Sequence, residues 1–280
     1  MNLIKLMRPK HYIKNFLIFL PLVFSGLFFE NKNFLITLVS FIIFSLVASI
    51  IYIVNDIKDI EKDRKHPTKK MRPIASGAVS IKSAVVLVIT LLILTVIISI
   101  LSRLPMISLI LLVLYFFLNI GYSFGLKNIP LLDIVILVSG FLIRVLYGAT
   151  ILNINVSNWL YLTIIVVSFY LSLGKRRNEV VKNGYNSRKV LKYYTKDFLD
   201  KNMSMFLCMS IVFYSLWTFD KNNSLLVWTI PLVIIICMKY SMTIEGDSDG
   251  DPVEVILNDK FIIVLSLLLS LVFFFALYIL

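Results

Sequence analysis

Residues 81–101 read IKSAVVLVITLLILTVIISIL, and from Ser83 onward the stretch carries no charge. A hydrocarbon layer about 30 Å thick takes roughly 20 residues of α-helix at about 1.5 Å each. The run is therefore the length of one membrane crossing. Comparable apolar runs lie at 15–29, 34–54, 105–121, 131–151, 159–174, 203–219, 224–241 and 261–280, nine in all. Hydrophobic residues make up 59% of the 280, charged residues 16%, and the mean hydropathy is +0.90. Soluble domains hold about 45–50% apolar and about 25% charged residues. These figures exclude a soluble domain, a coiled coil, a disulfide scaffold and disorder. They predict an all-α polytopic membrane protein, a bundle of nine transmembrane helices forming one domain over residues 1–280.

The first run follows Lys5, Arg8, Lys10 and Lys14, a basic start that also resembles a signal peptide. With eight further runs, it reads as an uncleaved first helix. The loops alternate between two kinds. Glu30–Asn33, Ser102–Leu104, Leu152–Asn158 and Asp220–Asn223 are short, whereas the others are long and charged. Of 28 Lys and Arg, 24 fall on the side of the N-terminus and the long loops, three (Lys32, Arg103, Lys221) on the other, and Arg144 lies inside a run. Cationic loops stay in the cytoplasm. The N-terminus and long loops are therefore expected there, in the cell (inner) membrane, with the C-terminus outside. The net charge of +12 is accounted for by orientation and asks for no nucleic acid. Cys208 and Cys237, both within apolar runs, fit neither a disulfide framework nor a zinc site.

The acids follow no topological need, yet only Glu30 and Asp220 of 16 fall on the outer side. The densest group ends the second run: Asn55-Asp56-Ile57-Lys58-Asp59-Ile60-Glu61-Lys62-Asp63-Arg64. On a continuing helix, Asp56, Asp59 and Asp63 fall within about 60° of arc while Glu61 points elsewhere. Carboxylates on one face repel unless something positive stands between them. A hard divalent cation such as Mg²⁺ meets that need, bridging to a substrate phosphate, with Asn55 adding an amide. The plainer reading is a solvated helix end whose acids pair with Lys58, Lys62 and Arg64. The block His66-Pro67-Thr68-Lys69-Lys70-Met71-Arg72-Pro73-Ile74-Ala75-Ser76-Gly77 follows. Lys69 and Arg72 offer phosphate contacts, and the prolines and Gly77 suggest a shaped loop. His66 reads as a structural group or phosphate donor rather than a base, and His11 carries no signal.

Asn55-Asp56-x-x-Asp59-x-x-x-Asp63 with Arg72-Pro73-Ile74-Ala75-Ser76-Gly77 resembles the first signature of the UbiA-type intramembrane prenyltransferase superfamily. The resemblance implies a helical bundle with a central cavity open to the cytoplasm, Mg²⁺ as cofactor, and catalytic, metal-holding roles for Asp56, Asp59 and Asp63. It is nearer to one branch, the phosphoribosyltransferases acting on decaprenyl phosphate. That branch is matched by Arg8-Pro9 with Lys14-Asn15, His66-Pro67-Thr68-Lys69, Tyr122-Ser123 with Leu126-Lys127 and Asp133, and Ser139-Gly140-Phe141 with Arg144. Gly174-Lys175-Arg176 with Glu179, and Asp251-Pro252 with Glu254, complete the match. It implies phosphoribosyl pyrophosphate as donor and a polyprenyl phosphate as acceptor, serving cell-envelope glycan synthesis, and it allows a homo-oligomer.

Prenyltransferases of the superfamily carry a second acidic motif after the sixth span. Here that place holds Lys175-Arg176-Arg177, which cannot hold a second Mg²⁺ and suits a separately bound phosphate; an ordinary basic cytoplasmic loop is the alternative. Lys14, Asn55, Lys69, Arg72, Tyr122, Lys127, Asp133, Lys175 and Arg176 are the expected substrate contacts. Arg144 joins them, because an arginine within the bilayer is costly and marks function by default; close helix packing around a structurally paired Arg144 is the competing reading. Asp247-x-Asp249-Gly250-Asp251 fails as a calcium loop, since Pro252 and Asn258 stand where glycine and glutamate belong. Two other functions stay open. One is a prenyltransferase joining a prenyl diphosphate to an aromatic or other acceptor; the other is a transporter with a cation site. Clustering of acids at one membrane face, without inverted repeats, disfavours the transporter.

Overall fold

A computed structural model describes residues 2–279 other than 67, 186, 187, 222, 247 and 249. Pro67 of the basic block, and Asp247 and Asp249 of the rejected calcium loop, thus lie outside the described residues. The described chain is helical: α1 (Asn2–Met7), a 3-10 helix (Pro9–Phe19), α2 (Leu20–Phe24), α3 (Asn31–Lys58), α4 (Ile60–Lys65), α5 (Ile81–Leu101), α6 (Met106–Phe124), α7 (Leu132–Ile151), α8 (Asn158–Asn183), α9 (Lys196–Asp220), α10 (Ser224–Val227), α11 (Thr229–Glu245), α12 (Pro252–Asn258) and α13 (Lys260–Tyr278). Eight of these segments are long and apolar enough to cross a membrane, with α10 and α11 counted as one. This is a multi-pass membrane protein.

The ninth expected helix is not among these eight. The run 15–29 does not form a regular membrane-length α-helix. Arg8 adopts a left-handed conformation (φ 56°), Pro9 then opens the 3-10 helix, and Gly26 (φ 79°) lies just past the end of α2. The segment instead lies antiparallel along α3. Tyr12 bonds Ser49 (2.7 Å), Asn15 donates to Ser45 (2.9 Å), the Phe16 and Phe19 rings meet Phe41, and Phe28 meets Phe34. From Ser49 to Phe34 is about 22 Å of helix at 1.5 Å per residue. The segment therefore covers most of a membrane's depth.

Two compact units are present. The first comprises residues 1–126 and 143–155, and the second residues 127–142 and 156–280. In the first, α3 is the hub. Ile43, Phe44 and Val47 pack with Ile18, Tyr115, Ile143 and Tyr147. Ile50 and Ile53 pack with Leu6, Ile74 and Val79. Gly148 is needed here, since a Cβ on it would collide with the Ile18 carbonyl. Thr37, Ser40 and Ser49 donate to carbonyls one turn back (2.8–2.9 Å), which satisfies hydroxyls where no water is available. α5 turns Val86, Ile89, Ile93 and Ile97 outward, as a lipid-facing helix does.

The second unit centres on Tyr170, Leu173, Val190, Leu191, Tyr194, Leu199, Met203, Tyr240 and Ile244. Its helices start at side-chain caps: Ser157 for α8, Thr195 for α9 and Asp259 for α13 each accept from backbone N–H groups of the first turn. α8 runs nine residues past the apolar limit at 174 and stops at Gly184 (φ 68°). The polar stretch 175–200 is thus the end of α8, a 3-10 turn (Lys189–Tyr193) and the start of α9.

Candidate active site

In the first unit, α3 and α4 keep helical hydrogen bonding across their junction. The Asp59 amide donates to Asn55 O (2.9 Å) and the Asp63 amide to Asp59 O (2.8 Å). Asp59 itself is kinked (φ −91°, ψ 10°) and half-buried. The register holds well enough to put Asp56 and Asp63 on one face, because a single nitrogen reaches both. Arg72 Nη1 lies 3.0 Å from Asp56 Oδ1 and 2.6 Å from Asp63 Oδ2. Arg8 Nη2 also donates to Asp56 Oδ1, at 2.5 Å. For Asp56 and Asp63 the positive partner is thus a guanidinium pair, Arg8 and Arg72. Lys58 stacks on the Phe124 ring (3.6 Å) and Arg64 donates to the Ala75 carbonyl. Glu61 is exposed.

Asp56 is only 2% exposed, and its second oxygen, Oδ2, is buried without a hydrogen-bond partner. Among the described residues no three metal-ligating side chains stand in a ready-made cage. An oxygen-only donor set with one buried, unused carboxylate oxygen nevertheless fits a hard divalent cation.

The basic block forms the shaped loop its prolines suggest. His66 Nδ1 accepts from the amides of Thr68 (3.3 Å) and Lys69 (3.4 Å). Burial and the nearby Lys69 charge hold the His66 pKa below the ordinary histidine value, which suits a neutral acceptor rather than a cation. The Val79 amide returns to Pro73 O, and Gly77 supplies a left-handed turn (φ 79°). Arg72 and Asp56 face a cavity of about 430 Å³ whose other lining includes Lys5, Arg8, Lys10 and His11. His11, which carried no signal in the sequence, is therefore a lining residue. Among the described residues of that lining, Lys14, Asn55, Lys69 and Tyr122 do not occur; all four are half-buried in the same unit.

Arg144 has partners within the first unit. It is 6% exposed, donates to Asn15 Oδ1 (2.8 Å) and Tyr115 OH (2.9 Å), and lies over the Phe44 and Tyr115 rings at 5.1 and 4.9 Å. Those contacts tie α7 to the 3-10 segment and α6. Cation–π faces and neutral oxygen acceptors together lower the cost of an intramembrane charge.

The second unit holds the other cluster. Asp133 and Arg176, expected to contact substrate, are each 0% exposed. Arg176 donates through Nε to Asp133 Oδ2 (2.7 Å) and through Nη1 to Glu179 (2.7 Å). Tyr194 OH donates to Asp133 Oδ1 (2.6 Å) and accepts from the Leu131 amide (2.6 Å). Burial, then the Asp133 carboxylate, raise the Tyr194 pKa, so it stays a donor. Arg188 reaches Glu179 from the other side (3.2 Å). The next residues lock α8 further: Arg177 to Asp200 (2.6 Å), and Asn178 to Ser248 (2.9–3.0 Å). Lys175 alone of the basic triplet keeps substantial exposure, 29% of its side chain, with Asp251 at 3.3 Å. Lys127 is half-buried in the 3-10 turn Leu126–Asn128.

Residues 17–258 match the family model described as the UbiA prenyltransferase family. A decaprenyl-phosphate phosphoribosyltransferase of Mycolicibacterium smegmatis is 35% identical over 286 residues, covering 95% of this chain and 89% of that one. The protein of that name from Corynebacterium glutamicum is 31% identical over 278 residues, covering 95% and 83%. Among solved structures, a UbiA homolog from Archaeoglobus fulgidus bound to DMAPP and Mg²⁺ matches with TM-score 0.74 at 15% identity, covering 100% of both chains.

Proposed function

The chain belongs to the UbiA prenyltransferase family, and within it we propose that this protein moves 5-phosphoribose from phosphoribosyl pyrophosphate to a polyprenyl phosphate, releasing pyrophosphate for cell-envelope glycan precursor synthesis. The observation that carries the reading is the near full-length likeness, at 31–35% identity, to relatives named for that reaction. The chain's own chemistry agrees with it. The chain carries one acidic motif, and where a second would serve a prenyl diphosphate it has Lys175-Arg176-Arg177, of which Lys175 keeps substantial exposure.

The reaction is a displacement at the ribose anomeric carbon. The bond to pyrophosphate breaks, the leaving group takes the electron pair, and a lipid phosphate oxygen forms the new bond. That oxygen is already anionic at neutral pH, so no general base is needed. Asp56, Asp59 and Asp63 would hold Mg²⁺, which would supply charge neutralisation for the leaving pyrophosphate. Arg8, Arg72 and Lys69 contribute charge-assisted bonds to phosphate oxygens, while Asn55 and Tyr122 orient the donor. Lys14, Lys127 and Lys175 serve the remaining phosphates. Asp133, Arg144 and Arg176 act by positioning.

The test is transfer of label from labelled phosphoribosyl pyrophosphate into lipid by purified protein with Mg²⁺ and polyprenyl phosphate. Label is expected in the lipid and absent when Mg²⁺ is chelated. Prenyl transfer from a prenyl diphosphate, with phosphoribosyl pyrophosphate ignored, would assign the chain to the other branch.

The donor is made in the cytoplasm, so the acidic motif belongs on that face, as the Lys and Arg asymmetry also argues. In a variant lacking Cys208 and Cys237, a cysteine at Lys182 is expected to be shielded from an impermeant thiol reagent in intact cells, and one at Asn155 to be labelled. Equal labelling of both positions would overturn this orientation.

A further inference from the structure

Charge counting in the first unit has a consequence for how metal and substrate arrive. Asp56 and Asp63 supply two negative charges on one face, and Arg8 and Arg72 answer them with two positive charges at 2.5–3.0 Å. Each of these two carboxylates is thus already matched by a guanidinium charge; Asp59, half-buried, is the third acid of the motif. A divalent cation brought alone would face two guanidinium groups at contact with its own ligands, and repulsion at such distances is strong away from bulk water. A cation arriving with a diphosphate meets a different balance, because the diphosphate gives the guanidinium groups anionic oxygens to turn to. Both guanidinium groups also line the cavity of about 430 Å³, beside Lys5 and Lys10, so they have somewhere to turn. Asp56 Oδ2, buried and without a partner, is the oxygen that such an exchange would bring into use.

We propose that Arg72 and Arg8 are placeholder cations. They occupy the carboxylates of the acidic motif until a diphosphate draws them into the cavity, so divalent cation and diphosphate bind together and the cation alone binds weakly. The proposal rests on the reading of Asp56, Asp59 and Asp63 as metal-holding. It does not depend on whether the diphosphate carries ribose or a prenyl chain, so failure of the branch assignment leaves it standing. Arg72 is the stronger placeholder, since one of its nitrogens bridges both carboxylates, whereas Arg8 reaches only Asp56.

The test reads metal binding rather than turnover. Mn²⁺ is titrated into the purified full chain, with free Mn²⁺ followed by its paramagnetic resonance signal and no anionic substrate present. Wild type is expected to bind weakly. Arg72→Gln is expected to bind at least about tenfold more tightly, because the competing charge is gone. Arg8→Gln should show a smaller gain, and Arg72→Lys should stay near wild type. Asp56→Asn in the Arg72→Gln background should abolish the gain, which places the ion at this motif. Pyrophosphate is then added at fixed Mn²⁺ with the solution complex accounted for. The increase in bound metal should be large in wild type and reduced in Arg72→Gln, as reciprocal coupling requires. Thermal unfolding of each variant shows that the protein measured is folded. Equal or weaker anion-free Mn²⁺ binding by both folded arginine variants overturns the proposal. Absence of Mn²⁺ binding in every protein, pyrophosphate included, overturns the metal reading and the exchange with it.

Discussion

Asp56→Asn and Asp63→Asn are each expected to lower turnover at least about a hundredfold at ordinary Mg²⁺, with Asp59→Asn close behind, while Glu61→Ala stays within about twofold of wild type. A metal ion stabilises several kcal/mol of charge developing on a leaving phosphate, and each 1.36 kcal/mol is about tenfold in rate. Geometry predicts the contrast. Asp56 and Asp63 converge on one nitrogen of Arg72, Asp59 lies between them in helical register, and Glu61 is exposed. Asparagine keeps the shape and removes the charge. Since both aspartates pair with half-buried guanidinium groups, some stability is lost too, and turnover must be normalised to folded protein by size-exclusion and melting. The measurement is initial-rate phosphoribosyl transfer over a range of Mg²⁺. An inactive Glu61→Ala beside an active Asp59→Asn would sink the helical reading of the motif.

What the sequence made legible follows from how each signal is encoded. Hydropathy is local, so the membrane helices could be read directly. The run at 81–101 became α5 with the same limits, and 105–121 lengthened only to Phe124, where Gly125 (φ 144°) ends it. The acidic motif was equally readable, because three- and four-residue spacing is a property of one helix. Hydropathy failed where polar residues are satisfied by distant partners. α8 continues to Asn183 because Arg176, Arg177 and Asn178 find Asp133, Asp200 and Ser248, none of them near in sequence. Arg8 meets Asp56 across 48 positions. Only its place in the family-like pattern marked it beforehand, and no local pattern marked Lys5, Lys10 or His11. Arg144 was marked by its depth in the sequence, but its partners Asn15, Tyr115 and two aromatic faces were encoded in no local pattern. The first run differs for a backbone reason: the left-handed Arg8 and Pro9 open a 3-10 segment, followed by the short α2, that hydropathy cannot distinguish from one α-helix.

Arg176→Ala is expected to cost about 3–5 kcal/mol, as does removing one partner of a buried ion pair, and so to lower the melting midpoint by roughly 10 °C. The substitution strands Asp133, 0% exposed, with Tyr194 as its remaining described partner, and leaves Glu179 to Arg188. Tyr194→Phe should act in the same direction by about 1–3 kcal/mol, the range for a buried polar group losing a bond, because it also removes the acceptor for the Leu131 amide. Lys175→Ala should behave differently. Its side chain is 29% exposed and meets Asp251 at 3.3 Å, so the midpoint should hardly move. If its ammonium holds a substrate phosphate, loss of a charge-assisted bond of about 1.5–3 kcal/mol lowers kcat/KM roughly tenfold or more, chiefly through KM for polyprenyl phosphate. Melting curves and kinetics of the folded fractions separate the two adjacent residues. Arg176→Ala that melts with wild type yet no longer binds polyprenyl phosphate would return Arg176 to the substrate and end the reading of the Asp133–Arg176–Glu179 group as the lock that holds the end of α8.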